Sequence, residues 1–204
     1  MALFDNNIER QQAFYKGLDS LSDKQAAYLS LPFFSDDEIA ALITATSDIP
    51  FRPAQPVVGN NVHQDMEVCF PAPRRDVFDD CATLLEGLVN SWPQHDSYIG
   101  RDFILNDFAV QRYGANSDGI GIHKDGLRYK YLVFIITLSG NSRLFHTTDR
   151  TGETRTAIDD TPGRLVILKA PDFAGFDSDA RLLHGVDCIT TGRLSIGFRC
   201  ELLS

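Results

Sequence analysis

The chain has 204 residues, of which 43% are apolar and 23% are charged, and this composition is typical of a single folded domain. Its formal net charge of −9 disfavours nonspecific binding to nucleic acid or to an anionic membrane, because like charges repel. No stretch approaches the roughly 20 apolar residues that a membrane helix needs, and the N-terminal residues lack a basic region followed by an apolar run. We therefore expect one cytoplasmic domain over residues 1–204, without membrane contact.

The first part of the chain has the patterns of helices. Residues 5–46 are predicted to be helical, because segments 22–25 and 35–38 both fit the capping box, in which a serine and a Glu or Gln satisfy the first N–H groups of a helix. A third helix is predicted at about 75–92, where apolar residues repeat every three or four positions. Segment 50–74 is rich in proline, glycine and asparagine, which predicts an extended loop or an irregular hairpin rather than a regular element.

After residue 102 the sequence changes to short runs rich in β-branched and aromatic residues, which indicate strands. Eight strands are predicted, at 103–113, 119–124, 130–138, 142–148, 154–159, 163–169, 180–189 and 192–202. This number and spacing of strands favour a jelly roll or a sandwich. The predicted fold class is α+β, with a helical part at about 1–95 packed on a jelly-roll core at about 103–202.

His123, Asp125 and His184 form a candidate metal site. Side chains two positions apart on an extended strand leave the same face, so the His123 imidazole and the Asp125 carboxylate project together. His184 lies within a later apolar strand. Two histidines and one carboxylate bind one face of an iron(II) ion and leave the opposite face open for substrates, as oxygen-activating iron requires.

An H-x-D motif is weak evidence by itself, and this chain contains a second one. His63 and Asp65 have the same spacing but lie in the proline-rich segment, where a surface hydrogen-bonding pair is the simpler interpretation. The sequence that follows His184 distinguishes the two motifs, because it adds a ligand-binding pattern to the first of them.

That pattern is a pair of arginines on the last predicted strand. Alternation places Arg193, Ser195 and Arg199 on one face and apolar side chains on the other. An unpaired buried guanidinium is costly, whereas one bound bidentate to a carboxylate is well compensated. The strand therefore favours a dicarboxylate ligand over the alternative of an exposed face with solvated arginines.

The chain resembles the Fe(II)/2-oxoglutarate-dependent oxygenases, which have a double-stranded β-helix core. The resemblance covers about residues 103–202 and rests on three motifs: His123-x-Asp125, His184-Gly185-Val186 and Gly192-Arg193. Two further features resemble the AlkB-type alkylation-repair branch: the pair Arg193 and Arg199, and Gln111-Arg112-Tyr113, where that branch usually has Asn-Arg-Tyr.

The resemblance implies a ligand set. Iron(II) would be bound by His123, Asp125 and His184, and Arg193 would bind the distal carboxylate of the cosubstrate 2-oxoglutarate. The residues implied to support that cosubstrate are Arg199, Tyr113, Gln111 and Ser195.

The resemblance also implies an activity that consumes O2. We expect a dioxygenase that hydroxylates a C–H bond of a small molecule, amino acid or peptide and releases succinate and CO2. The alternative is AlkB-like oxidative demethylation of alkylated nucleobases, which the arginine pair favours and the acidic net charge disfavours. A second alternative is a jelly-roll binding module without catalytic activity.

Overall fold

In a computed structural model, residues 3–23, 26–59 and 61–202 of the chain are described. They form four α-helices and thirteen β-strands. The helices are α1 (Ile8–Ser22), α2 (Asp36–Ala45), α3 (Asp76–Asn90) and α4 (His95–Tyr98). The strands are β1 (Tyr28–Pro32), β2 (Arg52–Pro53), β3 (Val57–Val58), β4 (Val62–Asp65), β5 (Glu67–Cys69), β6 (Asp107–Tyr113), β7 (Gly119–His123), β8 (Tyr129–Gly140), β9 (Arg143–Thr147), β10 (Thr156–Ile158), β11 (Arg164–Lys169), β12 (Leu183–Asp187) and β13 (Arg193–Glu201).

The strands form two antiparallel sheets that face each other. The major sheet has the order β1-β11-β8-β13-β6-β5-β2, and the minor sheet has the order β10-β9-β12-β7-β4-β3. The chain crosses repeatedly between the sheets, so strands that are neighbours in space are often distant in sequence. This arrangement is a double-stranded β-helix, or jelly roll, and it confirms the predicted fold class.

The outer face of the major sheet packs against the helices. Phe134 of β8 and Phe198 of β13 belong to one apolar core with Phe14 of α1, Leu42 of α2 and Leu85 of α3. All five side chains are fully buried. The helices therefore cover the side of the sheet that faces away from the minor sheet.

The inner face of the major sheet turns toward the minor sheet and carries the polar residues of β13. Val133 and Val166 of the major sheet pack there with Leu144 and Val186 of the minor sheet. Because side chains alternate along a strand, β13 sends Phe198 outward and its neighbour Arg199 inward. The predicted alternation of this strand thus places its arginines between the two sheets.

The prediction of helices over residues 5–46 is wrong at Tyr28–Pro32, which forms β1. This segment pairs with β11, with Leu29 opposite Ile167 and Leu31 opposite Leu165. Pairing with an existing sheet edge outweighs weak local helix signals, because propensity decides little when tertiary hydrogen bonds are available.

The two predicted capping boxes have different outcomes. The box at 35–38 is confirmed: the Ser35 hydroxyl accepts from the Glu38 N–H at 3.3 Å, and Glu38 Oε2 accepts from the Ser35 N–H at 2.7 Å. In the other segment, Ser22 is the last residue of α1 and begins no new helix. Lys24 and Gln25 of that segment lie outside the described residues.

The remaining predicted elements are mostly present. The third helix appears as α3, and the eight predicted strands appear as β6 to β13. Segment 50–74 contains the four short strands β2 to β5, which extend both sheets. Because β3 and β4 pair as a hairpin, the irregular hairpin describes this segment better than an extended loop does. Of the helices described, none combines the length and apolar character needed to cross a bilayer.

Gly119 allows β7 to lie close to β12. Its φ is +81°, and a Cβ atom there would overlap the carbonyl oxygen of Val186. We predict that Gly119→Ala lowers the free energy of unfolding by roughly 2–4 kcal/mol, because it adds backbone strain and a backbone clash. Gly87 in α3 is the matched control: a Cβ there meets no atom within 4 Å, so Gly87→Ala should raise stability by about 0.5–1 kcal/mol. Chemical denaturation measures both, and equal effects of the two substitutions would contradict this role of Gly119.

Candidate metal centre

The pairing of β7 with β12 brings the two predicted histidine ligands together. His123 is the last residue of β7, and its Cα partner across the ladder is His184 of β12. The imidazole ring centroids are 4.3 Å apart. Directly opposed residues of an antiparallel pair project to the same face, so both rings point into the space between the sheets.

Asp125 completes the cluster from the turn that follows β7. Its Oδ2 atom lies 3.8 Å from Nε2 of His184. One ligand atom from each of His123, Asp125 and His184 lies within 4.8 Å of the others. Within the described part of the chain, this is the one group of three such side chains that could hold a metal ion.

Backbone carbonyls fix the tautomers of the two imidazoles. Nδ1 of His123 lies 2.8 Å from the carbonyl oxygen of Gly121, and Nδ1 of His184 lies 3.1 Å from that of Leu182. A carbonyl can only accept a hydrogen bond, so each Nδ1 carries a proton and, in the neutral ring, each Nε2 keeps its lone pair. Metal-binding histidines use this arrangement, in which a second hydrogen bond orients the ring.

Burial and neighbouring charges set the ionisation of the cluster. Burial, reinforced by His184, lowers the pKa of His123 to about 4. Burial by itself would raise the pKa of Asp125, but His184 and Arg199 outweigh it and hold that pKa below its usual value. At neutral pH the site therefore presents an uncharged imidazole and an anionic carboxylate, and these are the protonation states that bind a metal dication.

A turn at 178–181 is tied to the H-x-D segment. Arg181 donates to the carbonyl oxygen of Asp125 and, at 2.6 Å, to that of Ser178. Lys124 Nζ donates to the carbonyl oxygen of Asp179 at 2.6 Å. These contacts hold the backbone on both sides of the Asp125 side chain, and the sequence pattern did not indicate them.

A deep cavity adjoins the cluster, and most of the predicted cosubstrate residues line it. Gln111, Tyr113, Arg193 and Arg199 line it together with the three candidate metal ligands. Burial raises the pKa of Tyr113 to about 12, so its hydroxyl stays protonated and can donate. Ser195 lies on the same strand between the two arginines and is buried, but it is not among the residues that line the cavity.

Arg193 is almost completely buried and has a partner that sequence reasoning missed. Its Nη1 donates to Asp160, and at 2.8 Å to the hydroxyl of Ser142. Thr137 Oγ1 donates to the same Asp160 carboxylate at 2.6 Å. The Nε of Arg193 has no hydrogen-bond partner among the residues that the structure describes. One edge of the guanidinium is thus anchored, and an N–H group remains for a ligand.

Arg199 is anchored in a similar way on the same inner face. Its Nη1 donates to Asp107 at 3.1 Å, and its Nε is likewise buried without a partner in the described part of the chain. The guanidinium lies over Gly197, where a Cβ atom would come within 3.2 Å of Nη2. The two arginines that line this cavity, beside the three candidate metal ligands, therefore each have one buried N–H group without a partner in the described part of the chain.

The second H-x-D motif lies apart from this cluster. His63 and Asp65 are on β4, and the side chain between them, Gln64, lines an outer cleft. Alternation directs His63 and Asp65 to the other face, where Asp65 Oδ2 accepts from the N–H of Asp118 at 2.8 Å. Asp65 therefore makes a hydrogen bond at the surface, and neither residue of this motif belongs to the cluster of candidate metal ligands.

An open cleft of about 440 Å³, called the mouth cleft below, lies next to the deep cavity. One wall comes from the segment that contains β2 to β5, and the other comes from β6 and the start of β8. Gln111 and Arg199 line both spaces, so these two side chains stand between them. The mouth cleft thus offers a route from the surface toward the candidate metal ligands.

The sequence matches no protein-family model and no curated protein, but solved structures are similar in fold. A prolyl hydroxylase from Trichoplax adhaerens, solved with a peptide fragment of hypoxia-inducible factor, has a TM-score of 0.64 at 13% identity, over 95% of this chain and 90% of that one. An oxidoreductase of the 2OG-Fe(II) oxygenase family from Burkholderia pseudomallei gives 0.61 at 14%, over 97% and 93%. HygX from Streptomyces hygroscopicus, with nickel and 2-oxoglutarate bound, gives 0.61 at 12%, over 91% and 86%. The chain has the double-stranded β-helix fold of these oxygenases.

Replacement of Asp160 tests its pairing with Arg193. Asp160→Asn leaves a guanidinium whose side chain is 1% exposed without its counter-charge, and we predict that the free energy of unfolding falls by about 3 kcal/mol. Asp159→Asn is the matched control, because Asp159 is exposed and pairs with Arg164 at the surface, so its loss should cost less than about 1 kcal/mol. Urea denaturation of both variants measures the difference. Equal losses of unfolding free energy in the two variants would show that the buried pair stabilises the fold no more than the exposed pair does.

Proposed function

We propose that the chain is an iron(II)- and 2-oxoglutarate-dependent oxygenase. The observation that carries the proposal is the cluster of His123, Asp125 and His184 beside a cavity whose two buried arginines each keep an unpaired N–H group. The fold is the one in which such oxygenases are built, and the residues are those that the sequence pattern predicts.

The donor set fits iron(II). His123, Asp125 and His184 each offer one ligand atom, and these three atoms lie within 4.8 Å of one another. Three protein ligands leave positions free for a cosubstrate and for O2, which suits non-haem iron better than a closed four-ligand structural site does. The carbonyl-bound Nδ1 atoms orient both rings, so His123 and His184 need little rearrangement to bind the ion.

The residues beside the cluster fit a dicarboxylate. In this proposal the Nε of Arg193 and the hydroxyl of Tyr113 hold the distal carboxylate of 2-oxoglutarate, while Arg199 adds positive charge nearer the metal. The cavity holds only about 40 Å³. Gln111 and Arg199 line both this cavity and the mouth cleft, and in this proposal their side chains shift when the cosubstrate enters.

When bound, iron(II) and 2-oxoglutarate supply the oxidising chemistry, in which O2 is consumed, succinate and CO2 are released and a C–H bond of the substrate is hydroxylated. The chain itself holds these reactants next to each other and keeps bulk water away from them. The apolar walls of the cavity, to which Val133, Ile135 and Val186 contribute, serve that exclusion. The substrate we propose is a small molecule, amino acid or peptide that enters through the mouth cleft.

The metal ligands are tested by succinate formation from 2-oxoglutarate in the presence of iron(II). We predict that His123→Ala and Asp125→Ala reduce turnover to the level of a control without enzyme, because two ligands cannot retain the ion. His63→Ala is the matched control from the second H-x-D motif and should keep wild-type turnover. Undiminished turnover in either ligand variant would refute the assignment.

The role of Arg193 is tested by the dependence of turnover on 2-oxoglutarate concentration. Arg193→Ala removes a charge-assisted hydrogen bond, and we predict a rise of about 10- to 100-fold in the KM for 2-oxoglutarate. Arg164→Ala is the control, because that arginine bonds to Ser30 on another part of the major sheet. An unchanged KM in Arg193→Ala would exclude a direct contact with the cosubstrate.

Demethylation of an alkylated nucleobase is a second candidate for the same site. It is favoured by the grouping of Arg193, Arg199, Gln111 and Tyr113 around one cavity, which resembles the AlkB-type branch. The net charge of −9 opposes it. Salt-dependent binding of single-stranded DNA or RNA, with formaldehyde released from a methylated oligonucleotide, would support this candidate over hydroxylation of a small molecule.

A further inference from the structure

The mouth cleft is locally basic, although the chain as a whole is acidic. The charged side chains that line it are Arg52, Arg128 and Arg199, and no carboxylate lines it among the described residues. The chain has a net charge of −9. A basic cleft attracts an anionic ligand even on an acidic protein, because solvent ions screen the more distant negative charges and the nearby arginines dominate.

The arginines of the cleft are not equally neutralised. Asp107 lies beneath them and accepts from Arg128 at 3.3 Å and from Arg199 at 3.1 Å, while Glu201 is 3.7 Å from Nε of Arg128. Two carboxylates thus balance two guanidinium groups. Arg52 has no ion-pair partner in the described part of the chain, and it makes one long contact, 3.5 Å from the carbonyl oxygen of Phe70. The cleft is left with one surplus positive charge.

Arg52 and Arg128 both contact Phe70. Arg52 contacts its carbonyl oxygen, and the guanidinium of Arg128 lies 5.9 Å from the centre of its ring. Both side chains are exposed, so N–H groups of each face solvent. Two exposed guanidinium groups that both contact Phe70 and line one cleft are suited to bind a small planar anion.

The other residues that line the cleft indicate what the uncharged part of the ligand is like. Its walls carry apolar side chains, among them Val58, Met66 and Val68, and the amides of Gln55 and Gln64. An apolar wall with a few polar groups is typical of a small-molecule site, and 440 Å³ lies within the usual range of about 300–1,000 Å³. The amides can each donate and accept one hydrogen bond to an amide of the ligand.

We propose that the mouth cleft binds an organic monocarboxylate whose remaining part is apolar, such as an N-acylated apolar amino acid or the C-terminus of a peptide. Arg52 and Arg128 bind the carboxylate, and the apolar wall directs the rest of the molecule toward Gln111 and the candidate metal ligands. A single negative charge matches the single surplus positive charge, whereas a phosphate dianion would also face Asp107 and Glu201. This inference rests on the proposed function, since it assigns the substrate class of that oxygenase.

The test compares acids with their amides. N-acetyl derivatives of leucine, valine and phenylalanine, as free acids and as primary amides, are titrated into the full chain by calorimetry. The titration is done without oxygen and with iron(II) and 2-oxoglutarate in saturating excess, so that the deep cavity is filled. We expect at least one acid to bind about tenfold more tightly than its amide, because charge-assisted hydrogen bonds are lost in the amide.

Matched variants test whether Arg52 and Arg128 cause this preference for acids over amides. Arg52→Gln and Arg128→Gln should each reduce it to about threefold or less, and Arg52 is exposed enough for its variant to fold if the other does not. Arg112→Gln changes the net charge equally but acts on the opposite face of β6, where Arg112 pairs with Glu67, so it should keep the preference. Equal binding of acids and amides, no binding of any acid at millimolar concentration, or an equal loss in Arg112→Gln would each overturn the proposal.

Failure of this inference and failure of the proposed function give different results. The titration measures binding without turnover, so a chain that formed no succinate could still prefer acids in an Arg52-dependent way. Conversely, a chain that forms succinate and binds 2-oxoglutarate but shows no preference for acids would remain an oxygenase with another substrate class.

Discussion

The antiparallel pairing of β7 with β12 is the constraint on which the rest of the site depends. It places His123 opposite His184 across the ladder, although the two residues are far apart in the chain. Asp125 follows from the same strand end and needs only the turn held by Arg181 to reach the two imidazoles. A shift of this register by one residue would send one histidine to the other face of the sheet and leave no cluster.

The second feature of the site is the way in which its buried charges are compensated. Arg193 and Arg199 each use one edge to bind a carboxylate of the chain, Asp160 and Asp107 respectively, and each keeps a buried N–H group free of partners among the described residues. The aspartates lower the cost of burying the guanidinium groups before any ligand arrives. The two N–H groups are then available to donate hydrogen bonds to a ligand.

Much of this site could be predicted from the sequence, because local patterns carry it. Alternation along β13 puts Arg193 and Arg199 on one face. The spacing of His123 and Asp125 correctly predicts that they meet, although Asp125 lies in the turn after β7 and not on the strand itself. The partner of Arg193 could not be predicted, since Asp160 lies in a turn and reaches the arginine only through the pairing of distant strands. The same reason explains β1 and the short strands of segment 50–74, whose hydrogen bonds depend on sheet edges formed by the second half of the chain.

The central claim is that three side chains bind iron(II) together with 2-oxoglutarate, and an anaerobic titration followed by visible absorption tests it most directly. Iron(II) and 2-oxoglutarate added together should produce a broad charge-transfer band that neither produces alone, and His184→Ala should abolish it. A chain that takes up no iron(II) and shows no band with both ligands present would contradict the account. It would support a jelly-roll binding module instead.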